Sequence, residues 1–352
     1  MNIPLYLGSY TEDGSGCGPG VQSLTVDPVA GELTVLATSS GVRNPSFLLR
    51  GPGGHLFAVE ELDAGQVVEL DPETLAVKAR VSSGGSSPCH LGLAGGLLLV
   101  ANYGSGTVSG LSLDEPWGAE PLWTVGQEGT GPVADRQEGP HAHSTLALGE
   151  DRFLVADLGR DRVDEYLLGE DGPELVGGLD LPPGTGPRHL LLDRPADDGS
   201  AVLWVVGELD AALHRAVRAA DAADAADGSW ALAGPPVALA PGHEHAYPSE
   251  ITGHPGSGER ALVVGVRGSD TLAVVARGGL GEGEERLLRK LPCGGAWPRH
   301  LAWARGDDGA PHLCVAAERG HRLSVFVPGP DGDLTPVGGV GTFSPTYVLP
   351  VG

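Results

Sequence analysis

Four histidines, several carboxylates and several arginines recur at matched positions along this chain, a set suited to moving protons or to attacking an activated carbonyl. His90, His143, His189 and His300 each lie just behind a proline and ahead of an apolar run, and Phe47, Glu250 and Tyr347 occupy the same kind of position. Arg188 and Arg299 immediately precede two of these histidines. A second set closes a different apolar run: Tyr10, Glu61, Tyr103, Glu208, Arg267 and Arg319, with Leu158 as its apolar member. Asn102, Asp157 and Glu318 stand one residue earlier. A histidine or glutamate can take a proton from water. A guanidinium stays charged and meets an oxyanion with two parallel N–H groups. His141 and His143 are two apart, so on an extended strand they point to one side and could hold a metal. No HExxH motif accompanies them, and no neighbouring carboxylate is fixed beside them by local sequence, so metal is the weaker reading and no cofactor is expected. No serine sits in a GxSxG elbow, which leaves a serine hydrolase unsupported.

The elements that must position these residues are strands of a repeat. A proline recurs at Pro45, Pro88, Pro140, Pro187, Pro248, Pro298 and Pro345, at spacings of 43, 52, 47, 61, 50 and 47 residues. Each opens a similar string: NPSFLL, SPCHLGLA, GPHAHSTLAL, GPRHLLLD, YPSEIT, WPRHLAW and SPTYVLPV. A turn rich in Gly or Asp follows, then an apolar run such as LLLVANYG or ALVVGVRG, then usually a third, such as GTVSGLSL. Short apolar runs bounded by turn residues read as strands, and four strands per ~40–50 residues is the period of a β-propeller blade. Only Thr346 to Gly352 follow the seventh proline, enough for one strand, while LYLGSYT, VQSLTVD and ELTVLATSS at the other end match the second, third and fourth strands. The predicted fold is therefore a single domain over 1–352, an all-β seven-bladed propeller with four-stranded antiparallel blades. Its last blade pairs the C-terminal strand with the N-terminal ones, which leaves no open edge.

In a propeller the first strand of every blade lines the central channel, so equivalent residues should converge at one mouth. Counting two residues past each proline aligns the histidines, except in the third repeat. There a one-residue shift, matching HSTLAL to HLGLA, puts His143 rather than Ala142 in register. The Ala/Asp triplets of RAVRAADAADAADGSWAL fall in the longest repeat and read as a solvated insertion.

Composition bounds the function classes. With 57 glycines and 29 prolines but 41% hydrophobic residues, the chain suits many short strands joined by tight turns rather than disorder. A formal charge of −24 repels phosphate backbones and anionic lipid, so neither nucleic acid nor membrane is an expected partner. MNIPLYLGSY has neither a basic start nor a long apolar core, and no window reaches a transmembrane length. Cys17, Cys89, Cys293 and Cys314 lack zinc-type spacing, so free thiols and a cytoplasmic location are expected.

The strings LGSYT, NPSFL, PCH, VANYGSGTV, HAHS, GPRH, WPRH and SPTYV resemble the lactonase family of seven-bladed propellers, over essentially the whole chain. That family includes bacterial 6-phosphogluconolactonases of the propeller type and the fungal carboxy-muconate cyclase. The resemblance implies a catalytic group of one histidine, one arginine and one glutamate from adjacent blades: His143 from HAHS, with His141 as its possible substitute, Arg188 from GPRH, and Glu208 from a second-strand end. His90, His141, His189, Glu250, Arg299 and His300 are the expected substrate-binding residues around it. The family's VNE is replaced by VEE at Val59 to Glu61 and VGE at Val206 to Glu208, and Arg267 lacks a preceding asparagine. The expected activity is hydrolysis of a sugar lactone, 6-phosphogluconolactone first, in carbohydrate metabolism. The alternatives are, among enzymes, a muconate-type cycloisomerase on the same fold or a metal-dependent gluconolactonase propeller, and, in another class, a non-catalytic interaction propeller. The latter is disfavoured by the absence of a repeated WD dipeptide. His143 and Glu208 both stand as candidate bases, with His143 preferred.

Overall fold

The computed structural model describes residues 1–12, 16–39, 41–113, 120–193, 200–218, 230–257, 261–278 and 285–351. The Ala/Asp triplets fall within 219–229 and lie outside the described residues.

The repeat becomes seven antiparallel sheets, each built around four strands. Their first strands are Leu48–Arg50, Pro88–Ala94, Ala142–Ala147, Pro187–Asp193, Tyr247–Gly253, Pro298–Arg305 and Pro345–Pro350. Their second strands are Leu56–Glu60, Leu97–Asn102, Arg152–Asp157, Ala201–Gly207, Ala261–Arg267, Pro311–Ala317 and Ile3–Ser9. The second strands are almost wholly buried, which explains why they read as unbroken apolar runs rather than as alternating ones. The C-terminal strand Pro345–Pro350 pairs with Ile3–Ser9, Leu7 opposite Val348, in the same sheet as Val21–Asp27 and Glu32–Ser39. This is the shared sheet that the split seventh repeat predicts.

Contacts divide the chain into two compact units, 1–60 with 68–78 and 237–352, and 61–67 with 79–236. In the first, Ile3, Leu5, Leu7, Val325 and Val348 are fully buried in one cluster, and Val263, Leu272, Leu313 and Val315 in another. In the second, Leu154, Leu203 and Val205 form one cluster, and Phe153, Ala101 and Leu99 another. Each such side chain contributes roughly 1.5–3 kcal/mol by leaving water. No helix among the described residues is long and apolar enough to cross a membrane.

The first and second strands pair through a recurring bulge, which sets the register of the candidate site residues. Pro88 and His90 lie opposite Asn102 and Ala101, with Cys89 as the extra residue. Ala142 and Ser144 lie opposite Asp157 and Ala156, with His143 extra. Pro298 and His300 lie opposite Ala317 and Ala316, with Arg299 extra. Two sequence alignments are corrected by this pairing. His143 shares the position of Cys89 and Arg299, one residue ahead of His90 and His300, because Ala142 and not Pro140 begins the strand. In the sixth repeat Ala317 takes the position of Asn102, so Glu318 and not Arg319 is equivalent to Tyr103.

Candidate active site

The site residues of the second unit are held by turns rather than by the strands alone. Asp161 sits in the left-handed region, φ 54°, and its buried carboxylate accepts from Gly184 N, Gly186 N and Gln137 Nε2, each at 2.7 Å. The 184–186 turn is thereby fixed, and Glu208 N and Leu209 N donate to Gly186 O and Thr185 O at 2.9 and 3.0 Å. Arg188 and Glu208, on either side of these bonds, are thus brought into register. Gln137 is fully buried and does the same for the segment before His141. Its Nε2 also donates to Leu158 O at 2.8 Å, and its Oε1 accepts from Val133 N at 3.1 Å. Gly159 is required by close approach: a Cβ there would lie 1.8 Å from Gly139 O.

Glu208 is the centre of the charge network. Its Oε2 is 3.0 Å from Arg188 Nε, and both side chains are buried. Its Oε1 accepts from Arg136 Nη2 at 2.6 Å, and the same nitrogen lies 3.4 Å from the Tyr103 hydroxyl. Burial alone would lower the pKa of Arg136, but the charge of Glu208 and hydrogen bonds to Glu208 and Tyr103 push it above the ordinary guanidinium value. The Arg136 guanidinium is therefore charged. Burial raises the Tyr103 phenol, against the lowering effect of Arg136, so the hydroxyl stays protonated near neutral pH.

The histidines pack beside this network. The Tyr103 ring stacks on His141, centroids 4.5 Å apart, and meets His143 edge-on at 5.6 Å. His189 lies edge-to-face with both His143 and His90, each at 5.5 Å. His141 Nδ1 donates to Tyr103 O at 2.9 Å, its backbone N donates to Asp157 Oδ1 at 2.8 Å, and its Nε2 is 3.3 Å from Glu138 Oε1. Burial raises the pKa of Asp157, opposed by the bond from His141 N and by Arg160. His90 Nδ1 accepts from Thr145 N at 3.3 Å. Cys89 Sγ lies 3.3 Å from His143 O and 3.9 Å from His143 Nδ1. His90, His141, His143, Arg188, His189 and Glu208 are thus brought together by the second unit.

Glu250, Arg299 and His300 form a cluster of the first unit. His300 Nδ1 accepts from Val348 N at 3.3 Å, which leaves Nε2 to face Glu250 Oε2 at 3.1 Å. Glu250 Oε1 also accepts from Ile251 N at 2.9 Å. The His300 ring lies 3.7 Å from that of Tyr347, whose hydroxyl burial pushes up in pKa. Arg299 donates to the Tyr10 hydroxyl, packs over its ring and stands 3.9 Å from Glu318. Arg267 donates to Tyr247 O at 3.0 Å, and Arg319 lies over the Trp297 ring at 3.5 Å.

Sequence reasoning passed over Arg136, Gln137 and Asp161. The one signal for Arg136 was its being the single arginine of the polar stretch 127–139. Among the described residues no three or more His, Cys, Asp or Glu side chains converge as metal ligands, and all four cysteines are free.

Seven sheets among the described residues, six of four strands and one of five, with one sheet shared between the first and last strands, make this a seven-bladed β-propeller. The chain belongs to the lactonase family, whose model, described as "Lactonase, 7-bladed beta-propeller", matches residues 4–350. Among curated relatives, an uncharacterised protein of Staphylococcus saprophyticus is 25% identical, over 93% of this chain and 92% of its own length. A protein of Arthroderma benhamiae named "Probable 6-phosphogluconolactonase" is 28% identical over 54% of this chain and 50% of its own. The match to an uncharacterised Lactococcus lactis protein spans 62% of that relative at 27% identity and 60% of this chain. Two solved structures share the fold. A candidate 6-phosphogluconolactonase of Bacteroides fragilis has a TM-score of 0.82 at 22% identity, covering 100% of this chain and 98% of its own. A periplasmic gluconolactonase of Pseudomonas aeruginosa has a TM-score of 0.81 at 24% identity, covering 99% and 98%.

Proposed function

We propose that this protein hydrolyses a sugar lactone, with 6-phosphogluconolactone as the leading substrate and 6-phosphogluconate as its product. The observation that carries the reading is the buried Arg188–Glu208 pair, held from one side by the partly exposed Arg136 and packed beside His143 in a lactonase-family chain. The names of the fungal relative and the Bacteroides structure support the choice of substrate.

In this mechanism water attacks the lactone carbonyl carbon as His143 takes its proton. The carbonyl oxygen becomes an oxyanion facing Arg188, whose charge and paired N–H groups stabilise it. The tetrahedral intermediate collapses by breaking the bond to the ring oxygen, and the imidazolium of His143 returns the proton to that oxygen. The products are a hydroxyl and a carboxylic acid, which ionises to the carboxylate by losing its proton to solvent. Glu208 orients Arg188, and the arginine facing each of its oxygens supports His143 as the base. His90, His141 and His189 shape the pocket beside it. Glu250, Arg299 and His300 are the substrate-contact candidates of the first unit, where the His300 ring nitrogens face Val348 N and Glu250.

The test is turnover on a panel of 6-phosphogluconolactone, unphosphorylated gluconolactone and a muconolactone-type diacid, with and without chelator. Fastest hydrolysis of the phosphorylated lactone, unchanged by chelator, is expected. Preference for the diacid, in the cyclising direction, would replace hydrolysis by the cycloisomerase reading. No turnover of any member would overturn both.

A further inference from the structure

We propose that Arg136 is a positioning residue: by holding Glu208 Oε1 it fixes the carboxylate whose Oε2 aims Arg188 at the reacting carbonyl. The kinetic part of this inference rests on the lactonase reading above. The geometric part does not.

Three observations carry it. Arg136 belongs to no blade strand, yet its Nη2 makes the 2.6 Å bond to a buried glutamate 72 residues away. The segment that delivers it is built to do so. Arg136 N and Gln137 N both donate to Val133 O, at 2.9 and 2.8 Å, and Gln137 anchors the turn to Leu158 O and Asp161. Asp161 in turn holds the turn at 184–186 from which Arg188 and Glu208 diverge. One polar network therefore sets both ends of the Arg136–Glu208–Arg188 line.

A single carboxylate oxygen bound by one arginine can swing about the side-chain torsions; a carboxylate gripped at both oxygens cannot. Without Arg136, Glu208 keeps its ion pair with Arg188 but loses the constraint on where its carboxylate sits. Misplacing a catalytic group by about 1 Å costs on the order of 10²-fold in rate. Arg136→Met should thus lower kcat by roughly 10–10²-fold with little change in KM, since the arginine is assigned no substrate contact. Arg136→Lys keeps the charge but not the fork, and should recover part of the loss.

A double-mutant cycle with Glu208→Gln tests the route of action. If Arg136 acts through Glu208, Arg136→Met costs little in the Glu208→Gln background. Equal losses in both backgrounds, or a rise in KM with kcat unchanged, would overturn the proposal, the latter by making Arg136 a substrate-binding group. A second readout needs no substrate: the Arg188 Nε–H proton resonance, identified by its disappearance in Arg188→Lys. It should exchange slowly in the wild type and markedly faster in Arg136→Met and Arg136→Lys. Unchanged exchange in both variants overturns the proposal even if no lactone is turned over. If the exchange changes while the wild-type protein turns over no lactone, the positioning holds and the lactonase reading falls.

Discussion

At the scale of single residues the balance of roles turns on Glu208. A carboxylate that accepts from Arg136 at 2.6 Å and is ion-paired with Arg188 at 3.0 Å is committed to them, so a proton it gained would have to be exchanged against two ion pairs. His143 meets the Tyr103 and His189 rings edge-on and lies beside Cys89. This predicts how the pH profile divides. A base histidine works only when neutral, so kcat/KM should climb with pH through an imidazole titration and fall away on the acidic side. His143→Asn should abolish turnover together with that acidic limb. Glu208→Gln should lower the rate yet keep the limb. The reverse pattern, recorded as kcat/KM from pH 4 to 9, would make Glu208 the base. The same geometry makes Arg188→Lys non-conservative, because lysine cannot bond Glu208 and present a flat pair of donors at once. A drop of roughly 10²–10³ in kcat is expected. Steady-state kinetics within about twofold of wild type would remove Arg188 from the catalytic group.

At the scale of elements, what was legible and what was not divides along the repeat. The histidines and Arg188 were visible because each blade restates the same proline, bulge and apolar run, so one blade predicts the next. Arg136 escaped because it precedes Ala142–Ala147 in a segment outside the strands of the repeat, and long-range bonds through Gln137 and Asp161, not periodicity, put it in place. His143 was misaligned by one residue for a related reason. Its proline, Pro140, is displaced ahead of the strand, and its carbonyl lies against Gly106, so Ala142 takes the strand position that proline has in Pro88–Ala94. In the sixth repeat the alanine pair Ala316–Ala317 hides where the strand ends, which shifted the reading from Glu318 to Arg319. If the segment before His141 is a built part of the site, loosening it should cost both stability and rate. Gln137→Ala strips one donor from the buried Asp161 carboxylate and leaves Leu158 O without that bond. About 1–3 kcal/mol of destabilisation is expected per group left unsatisfied. Denaturant melts and kcat should fall together. A loss of stability with unchanged kcat would detach this turn from the site.

For the molecule as a whole, the sheet that joins the two chain ends carries a burden no other sheet does. Without the strand Pro345–Pro350, the strand Ile3–Ser9 would expose a row of unpaired backbone groups, the kind of edge that recruits other chains. Val348 marks that joint: it is fully buried, faces Leu7 across the pair and packs with Ile3, Leu5 and Leu24. Its backbone N–H also donates to His300 Nδ1, so the joint holds the His300–Glu250 pair as well. Val348→Ala removes two methyl groups from this cluster while keeping the backbone donor. Lost transfer energy and the cavity together should cost about 2 kcal/mol. Val29, 75% exposed, is the control, and Val29→Ala should stay within about 0.5 kcal/mol of wild type. Urea titrations of the two variants check this through their midpoints at constant slope. If Val348→Ala moved the midpoint no further than Val29→Ala, the terminal strand would be a loose addition and not the closure of the seventh blade. If it also produced concentration-dependent aggregation below the transition, the exposed edge would be its cause, and an added charge on that edge should suppress it.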